Sequence, residues 1–173
     1  MQPIHSLAPI EPASARVLIL GSMPGQASLS AQAYYAHPRN AFWPIMASLL
    51  GFCADLTYDQ RVQQLQRAGI GVWDVMAACI RPSSLDSAIL PQSIQTQDFS
   101  AWFARHPTTE AVFCNGGTAW TTYQRKVLPQ LSTPWCDRPA IQLPSTSPAH
   151  ARLSLSDKTS VWIEAIRPWL TQS

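Results

Sequence analysis

The sequence predicts an α/β protein, a three-layer α/β/α sandwich around a central, mostly parallel sheet, on three observations. Val17-Leu18-Ile19-Leu20 is a continuous apolar run of the kind found in a strand covered on both faces. Ala111-Val112-Phe113-Cys114 repeats that character in the second half of the chain. Between and after these runs, apolar residues recur at helical spacing, so strands alternate with helices. The 173 residues suit one domain, 1–173, with a sizeable core, and no repeat, linker or low-complexity tract divides it.

Met1 to Ala15, rich in Pro, Ala and Ser, reads as an irregular lead-in to the first strand at Val17. From Ala41, the spacing of Phe42, Trp43, Ile45, Met46, Leu49 and Leu50 predicts a helix that Gly51 stops. Asp59 to Ala68 predicts a second helix, capped from Thr57 to Asp59 and closed by Gly69. Gly71 to Val75 is a strand, and a Pro/Ser-rich connection runs through Ile80 to Asp86. Asp98 to Arg105 is a short helix, and Thr118 to Leu128 is a helix stopped by Pro129. Ala140 to Leu143 supplies a further strand. An amphipathic helix from about Ser156 closes the pattern, with Val161, Ile163, Ile166, Trp169 and Leu170 as its apolar positions.

Lys plus Arg number 12 against Asp plus Glu 10, a formal net charge of +2, so any nucleic-acid face is local rather than global. The charged fraction of 13% and the hydrophobic fraction of 46% describe a packed globular protein, not a disordered tail. Cys53, Cys79, Cys114 and Cys136 are scattered without metal-ligand spacing, so neither a metal nor an iron-sulfur cofactor is expected. No basic segment followed by an apolar run opens the sequence, and no window reaches the length of a membrane span. The expectation is a cytoplasmic protein, nucleoid-associated if prokaryotic, with free and mostly buried thiols.

Gly21 and Gly25 bracket Ser22-Met23-Pro24 at the carboxyl end of the first strand, where open α/β sheets bind their ligands. This turn leads to Y-Y-A-H-P-R-N-A-F-W, Tyr34 to Trp43. V-F-C-N-G-G (Val112 to Gly117) and L-P-S-T-S-P-A-H-A-R (Leu143 to Arg152) follow in order. Together these segments resemble the motifs of the uracil-DNA glycosylase superfamily, in the branch with the mismatch-specific uracil/thymine glycosylases, and most closely the hypoxanthine-DNA (deoxyinosine) glycosylases.

The resemblance implies a DNA repair enzyme that flips out a deaminated base and hydrolyses its N-glycosidic bond, with damaged DNA as its partner and a monomer sufficient for the task. Superfamily members commonly place Asp or Asn where this chain has Met23, and a thioether cannot activate water. In the hypoxanthine branch the resemblance gives the water-positioning role to the Asn of H-P-R-N, here Asn40. A neutral amide is no general base, so Asn40 would orient water through its side-chain carbonyl. Asn40 equally suits the N-cap of the helix that follows.

Asn115 corresponds to the base-reading Asn, and its amide can donate to a carbonyl while accepting from a ring N–H, as hypoxanthine and uracil require and adenine does not. An Asn before Gly116-Gly117 is also an ordinary turn residue. Tyr35 aligns with an aromatic that stacks on the flipped base, and Tyr34 fits a stacking or a core position. The same motif sets Gly21, Ser22, Met23 and Phe42 around the base. His37 is read as a DNA contact or as loop structure. Ser145, Thr146, Ser147, Ala149 and His150 form the loop expected to enter the minor groove and hold phosphates through hydroxyl and backbone N–H groups. Ser145 stands where classical uracil glycosylases carry a His, and Ala149 or His150 where an apolar wedge would stand.

A uracil-DNA glycosylase is the alternative within this chemistry, since Asn115 would read the same edge. A non-catalytic nucleotide-binding module is the alternative outside it, weakened by the absence of G-x-G-x-x-G and of a P-loop lysine.

Overall fold

The computed structural model of the chain describes residues 1–170. In chain order its regular elements are Ile4–His5 (β1), Val17–Gly21 (β2), Gln26–Ala31 (α1), Phe42–Leu50 (α2), Tyr58–Arg67 (α3), Ile70–Asp74 (β3) and Met76–Cys79 (β4). Gln95–Thr96 (β5), Phe99–Arg105 (α4), Ala111–Asn115 (β6), Gly117–Thr122 (α5), Ala140–Leu143 (β7) and Leu155–Leu170 (α6) follow.

The central sheet is parallel throughout, in the order β3-β2-β6-β7. Val17, Leu18, Ile19 and Leu20 are wholly buried because β2 lies between two neighbours and under helices on both faces. Val17 and Ile19 pack with α2, α3 and α6 through Phe42, Leu65, Trp162 and Ile166. Leu18 and Leu20 pack on the opposite side with Trp102 and Phe103 of α4 and Ala119 of α5. These are the three layers the alternating pattern predicts. The register pairs Gly21 with Asp74, and Leu20 with Cys114 one residue before Asn115. Strand order reverses direction between β2 and β6, which opens a crevice at their carboxyl ends.

Several local features depart from the sequence expectation. The lead-in is not wholly irregular: Ile4 and His5 pair with Cys79 and Ala78, and Ile10 bridges to Val72. That pairing belongs to a small antiparallel sheet, β1-β4-β5, built from residues with no strand-like alternation. The helix expected from Thr118 to Leu128 is α-helical only to Thr122. A wider π turn, Tyr123–Val127, and a 3-10 turn, Leu128–Gln130, complete it, since Pro129 lacks the N–H that an α-helix needs there. On α6 Lys158, Trp162 and Ile166 are fully inward and Ile163, Trp169 and Leu170 pack half-buried against the core, whereas Val161 is 41% exposed. Thr57 and Gln60 form a reciprocal capping box at the start of α3. Of the thiols, all free, Cys79 and Cys114 are buried but Cys53 is exposed and Cys136 half-buried. Among the described residues no helix is long and apolar enough to cross a membrane.

Candidate active site

A cleft of about 860 Å³ lies over the carboxyl ends of β2, β3 and β6, within the range for a small-molecule or base pocket. Its floor is Gly21. A Cβ there would come within 2.5 Å of Asp74 Oδ1 and 3.1 Å of Tyr35 Oη, so only glycine lets these two groups close over the strand end. Gly25 is different: its φ of −70° is ordinary, and a Cβ would meet nothing nearer than Ser84 Oγ at 3.9 Å. The turn between them is held by Arg81, whose buried guanidinium donates to the carbonyls of Met23, Pro24 and Ser83.

Asp74 is 3% exposed, and its Oδ2 accepts one hydrogen bond, from Ser6 Oγ at 2.8 Å. Burial pushes its carboxyl up to about 7, and the nearby Asp86 adds to the rise, against the pull of the Ser6 hydroxyl and the Arg81 charge. Asp86 also titrates above the usual carboxylate range through burial, although Ser22 Oγ donates to its Oδ2 at 2.7 Å. Neither carboxylate stood out in the sequence. The signal for Asp74 was an acid closing an otherwise apolar parallel strand in register with Gly21.

Asn115 ends β6 and joins three segments. Its Nδ2 donates to Thr146 Oγ1 at 2.9 Å and to Tyr35 Oη at 3.2 Å, and its Oδ1 accepts from the Thr146 backbone N–H at 2.9 Å. Both amide hydrogens are therefore engaged, and one Oδ1 lone pair is left. The structure thus differs from the expectation of an amide open on both sides to the base. Gly116, with φ +94°, follows directly, and a Cβ there would press on Ser145 Cβ at 3.1 Å, which is how the strand end and the 145–150 loop come so close.

Tyr35 takes a left-handed backbone, φ 54°, a conformation that costs a non-glycine residue roughly 1 kcal/mol and that its contacts must hold. Its ring stacks on Phe42, centroids 4.0 Å apart at 23°. Phe42 is wholly buried beneath Tyr35 and does not line the cleft, so the base contact expected of it is replaced by support of Tyr35 from behind. Burial, with the Asp74 charge, raises the Tyr35 phenol above its ordinary range, so it stays protonated at neutral pH. Tyr34 is a core residue: 3% exposed, its hydroxyl donates to Leu7 O.

Asn40 faces the cleft, and its Oδ1 accepts the Phe42 N–H at 2.9 Å, so it serves the start of α2 from one residue before the N-cap, Ala41. Among the described residues its Nδ2 donates to no protein acceptor, and a second Oδ1 lone pair is free. His37 is exposed at the rim, its Nδ1 accepting the Arg39 N–H. Ser22 and Met23 both line the cleft, and the mostly buried Met23 also packs against the core cluster on the α4 and α5 side. In the loop, Ser145 Oγ and Ser147 Oγ accept the backbone N–H groups of Ser147 and Ala149. With those amides satisfied internally, the hydroxyl hydrogens of Ser145 and Ser147 remain free to donate. Thr146, expected to face DNA, is 1% exposed because its hydroxyl turns inward to Asn115. Ala149 is exposed and His150 half-buried, its carbonyl accepting from Lys158 Nζ of α6. Among the described residues no group of three or more His, Cys, Asp or Glu is placed to hold a metal ion.

A parallel α/β sandwich with a ligand-sized cleft at its strand ends defines the class, and comparison with known proteins gives the family. The model of the uracil DNA glycosylase superfamily matches residues 8–171, and the chain belongs to that superfamily. A hypoxanthine DNA glycosylase of Methanosarcina barkeri is 35% identical over 109 residues, 62% of this chain and 68% of that protein. A hypoxanthine DNA glycosylase of Methanosarcina acetivorans is 34% identical over 125 residues, 67% of this chain and 78% of that protein. The solution NMR structure of a candidate uracil DNA glycosylase from M. acetivorans superposes with a TM-score of 0.76 at 28% identity, covering 94% of this chain and 98% of that one.

Proposed function

We propose that the chain is a monofunctional DNA glycosylase, working as one domain and as a monomer in the cytoplasm, that removes hypoxanthine from deoxyinosine. What carries the reading is a cleft roomy enough for a flipped nucleotide at the β2/β6 crevice of a superfamily member whose curated relatives are named hypoxanthine DNA glycosylases. The flipped nucleotide enters over Gly21 with Tyr35 against the base. Water bonded to the cleft-facing side of the Asn40 amide attacks C1′ as the C1′–N9 bond breaks, leaving an abasic sugar and the free base. Asn115 reads the lactam edge of the base. Ser145, Ser147, Ala149, His150 and His37 meet the DNA at the rim. The sites so named contain no lysine, and the reaction uses water rather than a Schiff base.

The test is incubation with duplexes bearing one deoxyinosine, deoxyuridine or mismatched thymine, with the free base identified and the abasic strand cleaved by alkali. Hypoxanthine release is the expected outcome, with no adduct trapped by borohydride. Release of uracil in preference to hypoxanthine, or a trapped adduct, overturns the reading.

A further inference from the structure

The donors and acceptors on the cleft floor stand in a definite order. Asn115 Oδ1 has one lone pair to spare, because Thr146 N–H fills only one. Beside it, Tyr35 Oη accepts from Asn115 Nδ2 at 3.2 Å and gives its own hydrogen to no acceptor among the described residues. The phenol hydrogen is therefore turned away from Asn115 Nδ2 and free to donate to a ligand in the cleft. Next comes Asp74: Ser6 holds Oδ2, and Oδ1 has no partner, with the carboxyl 3% exposed and aimed at the Gly21 gap. Tyr35 Oη and Asp74 Oδ1 lie 3.1 Å and 2.5 Å from the same missing Cβ. A neutral carboxyl with Oδ2 accepting from Ser6 carries its hydrogen on Oδ1. The floor then reads acceptor, donor, donor.

Hypoxanthine presents the complementary series N1–H, O6 and N7: a donor and two acceptors. Adenine reverses the first two, with N1 an acceptor and N6 a donor. We propose that Asn115 Oδ1, Tyr35 Oη–H and neutral Asp74 Oδ1–H together read N1–H, O6 and N7 of the flipped purine, and that Asp74 is the general acid for its departure. In that step the Asp74 proton passes to N7 while the C1′–N9 bonding pair goes to the base, which leaves neutral. Water adds its oxygen to C1′, and the proton it loses reloads the Asp74 carboxylate. Protonating the leaving purine supplies what a neutral Asn40 cannot. The inference rests on the hypoxanthine reading and gives it a mechanism for rejecting adenine.

Charged and titratable groups face Asp74 from every side of its setting: Tyr34 and Tyr35 from the segment before α2, Asp86 from the turn after β4, and Arg81 from the end of β4. Burial keeps both phenols protonated through the neutral range, and arginine keeps its charge. Of these groups the two carboxyls, Asp74 and Asp86, are both raised by burial.

The experiment is the single-turnover rate on a deoxyinosine duplex from about pH 5.5 to 9 for wild type, Asp74→Asn and Ser6→Ala. Wild type should lose rate roughly tenfold per pH unit above about pH 7, as the acid ionises. Asp74→Asn keeps a hydrogen-bond donor but has no proton to give. It should bind the lesion duplex within a few-fold of wild type, release hypoxanthine roughly 10²-fold more slowly and lose the alkaline limb. Ser6→Ala removes the hydroxyl that favours the carboxylate, so its limb should move to higher pH. Ser6→Ala and the wild-type profile decide the matter even if Asp74→Asn fails to fold. Hypoxanthine release with a flat wild-type profile, an Asp74→Asn rate near wild type, or an unmoved limb in Ser6→Ala overturns this inference alone. No release by wild type overturns the functional reading beneath it.

Discussion

Asp74 works against the fold that positions it. Its folded-state pKa of about 7 lies above the ordinary 3.8, so through that window the folded chain holds a proton the unfolded chain has lost. Stability contributed below the ordinary pKa is therefore lost as pH rises toward 7, a penalty on the order of 4 kcal/mol at its limit. Asp74→Asn should raise the melting temperature at pH 8 and leave it nearly unchanged at pH 4; calorimetry at the two values checks this. Asn40→Ala should slow single-turnover release by roughly 10²-fold with DNA affinity within a few-fold. It also removes the acceptor of the Phe42 N–H, at about 1 kcal/mol, so folding survives. A normal rate with an early melt would leave Asn40 as a helix-start residue and nothing more. Asn115→Asp replaces Nδ2 with an oxygen, and the Tyr35 and Thr146 hydroxyls would then donate to it. The phenol hydrogen would turn away from the base, so release should fall roughly as far as in Asn115→Ala, with affinity for undamaged duplex unchanged in both. Near-wild-type release by Asn115→Asp would remove the residue from base reading.

At the scale of elements, the 145–150 loop is clamped at both ends by α6. Trp162 Nε1 donates to Pro144 O at 2.9 Å, and Lys158 Nζ donates to His150 O at 2.6 Å from a buried position. Lys158→Met keeps the apolar stem volume and drops the tether. Melting should change little while affinity for abasic duplex falls several-fold, as a fluorescence titration would show. The helix-loop clamp was not legible beforehand, because a lysine on an amphipathic helix reads as solvent-facing. The strands were legible, since a buried parallel strand leaves a continuous apolar run. The three strands whose ends frame the cleft, β2, β3 and β6, were each expected from the sequence. The short antiparallel sheet was not, because Ile4–His5, Met76–Cys79 and Gln95–Thr96 acquire their pairing only from one another. At the site, the glycine floor and both asparagines could be read from the chain. The inward turn of Thr146, the covering of Phe42 and the isolation of Asp74 are products of packing across long sequence separations.

Taken whole, the molecule carries a net charge of only +2, so its grip on DNA depends on a few placed cations. Arg39 and Arg152 are exposed on the two segments that border the cleft, beside His37 and His150. A plot of log affinity against log salt should therefore be shallow. Arg39→Gln and Arg152→Gln should each reduce its slope by about 0.9, with little change in the single-turnover rate at saturating enzyme. A steep slope unaffected by either change would place the DNA on another face. The contact between Asn115 and Thr146 ties the 145–150 loop to the cleft floor, and Ala41 N–H adds the start of α2 to the same knot through Thr146 O at 2.9 Å. Any ligand that strengthens or loosens that knot from one side is felt equally from the other. Whatever factor free hypoxanthine applies to the affinity for abasic DNA, abasic DNA must apply to the affinity for hypoxanthine. The two products of one turnover thus hold a shared coupling constant, and its sign decides whether base and sugar leave the enzyme in concert or at each other's expense.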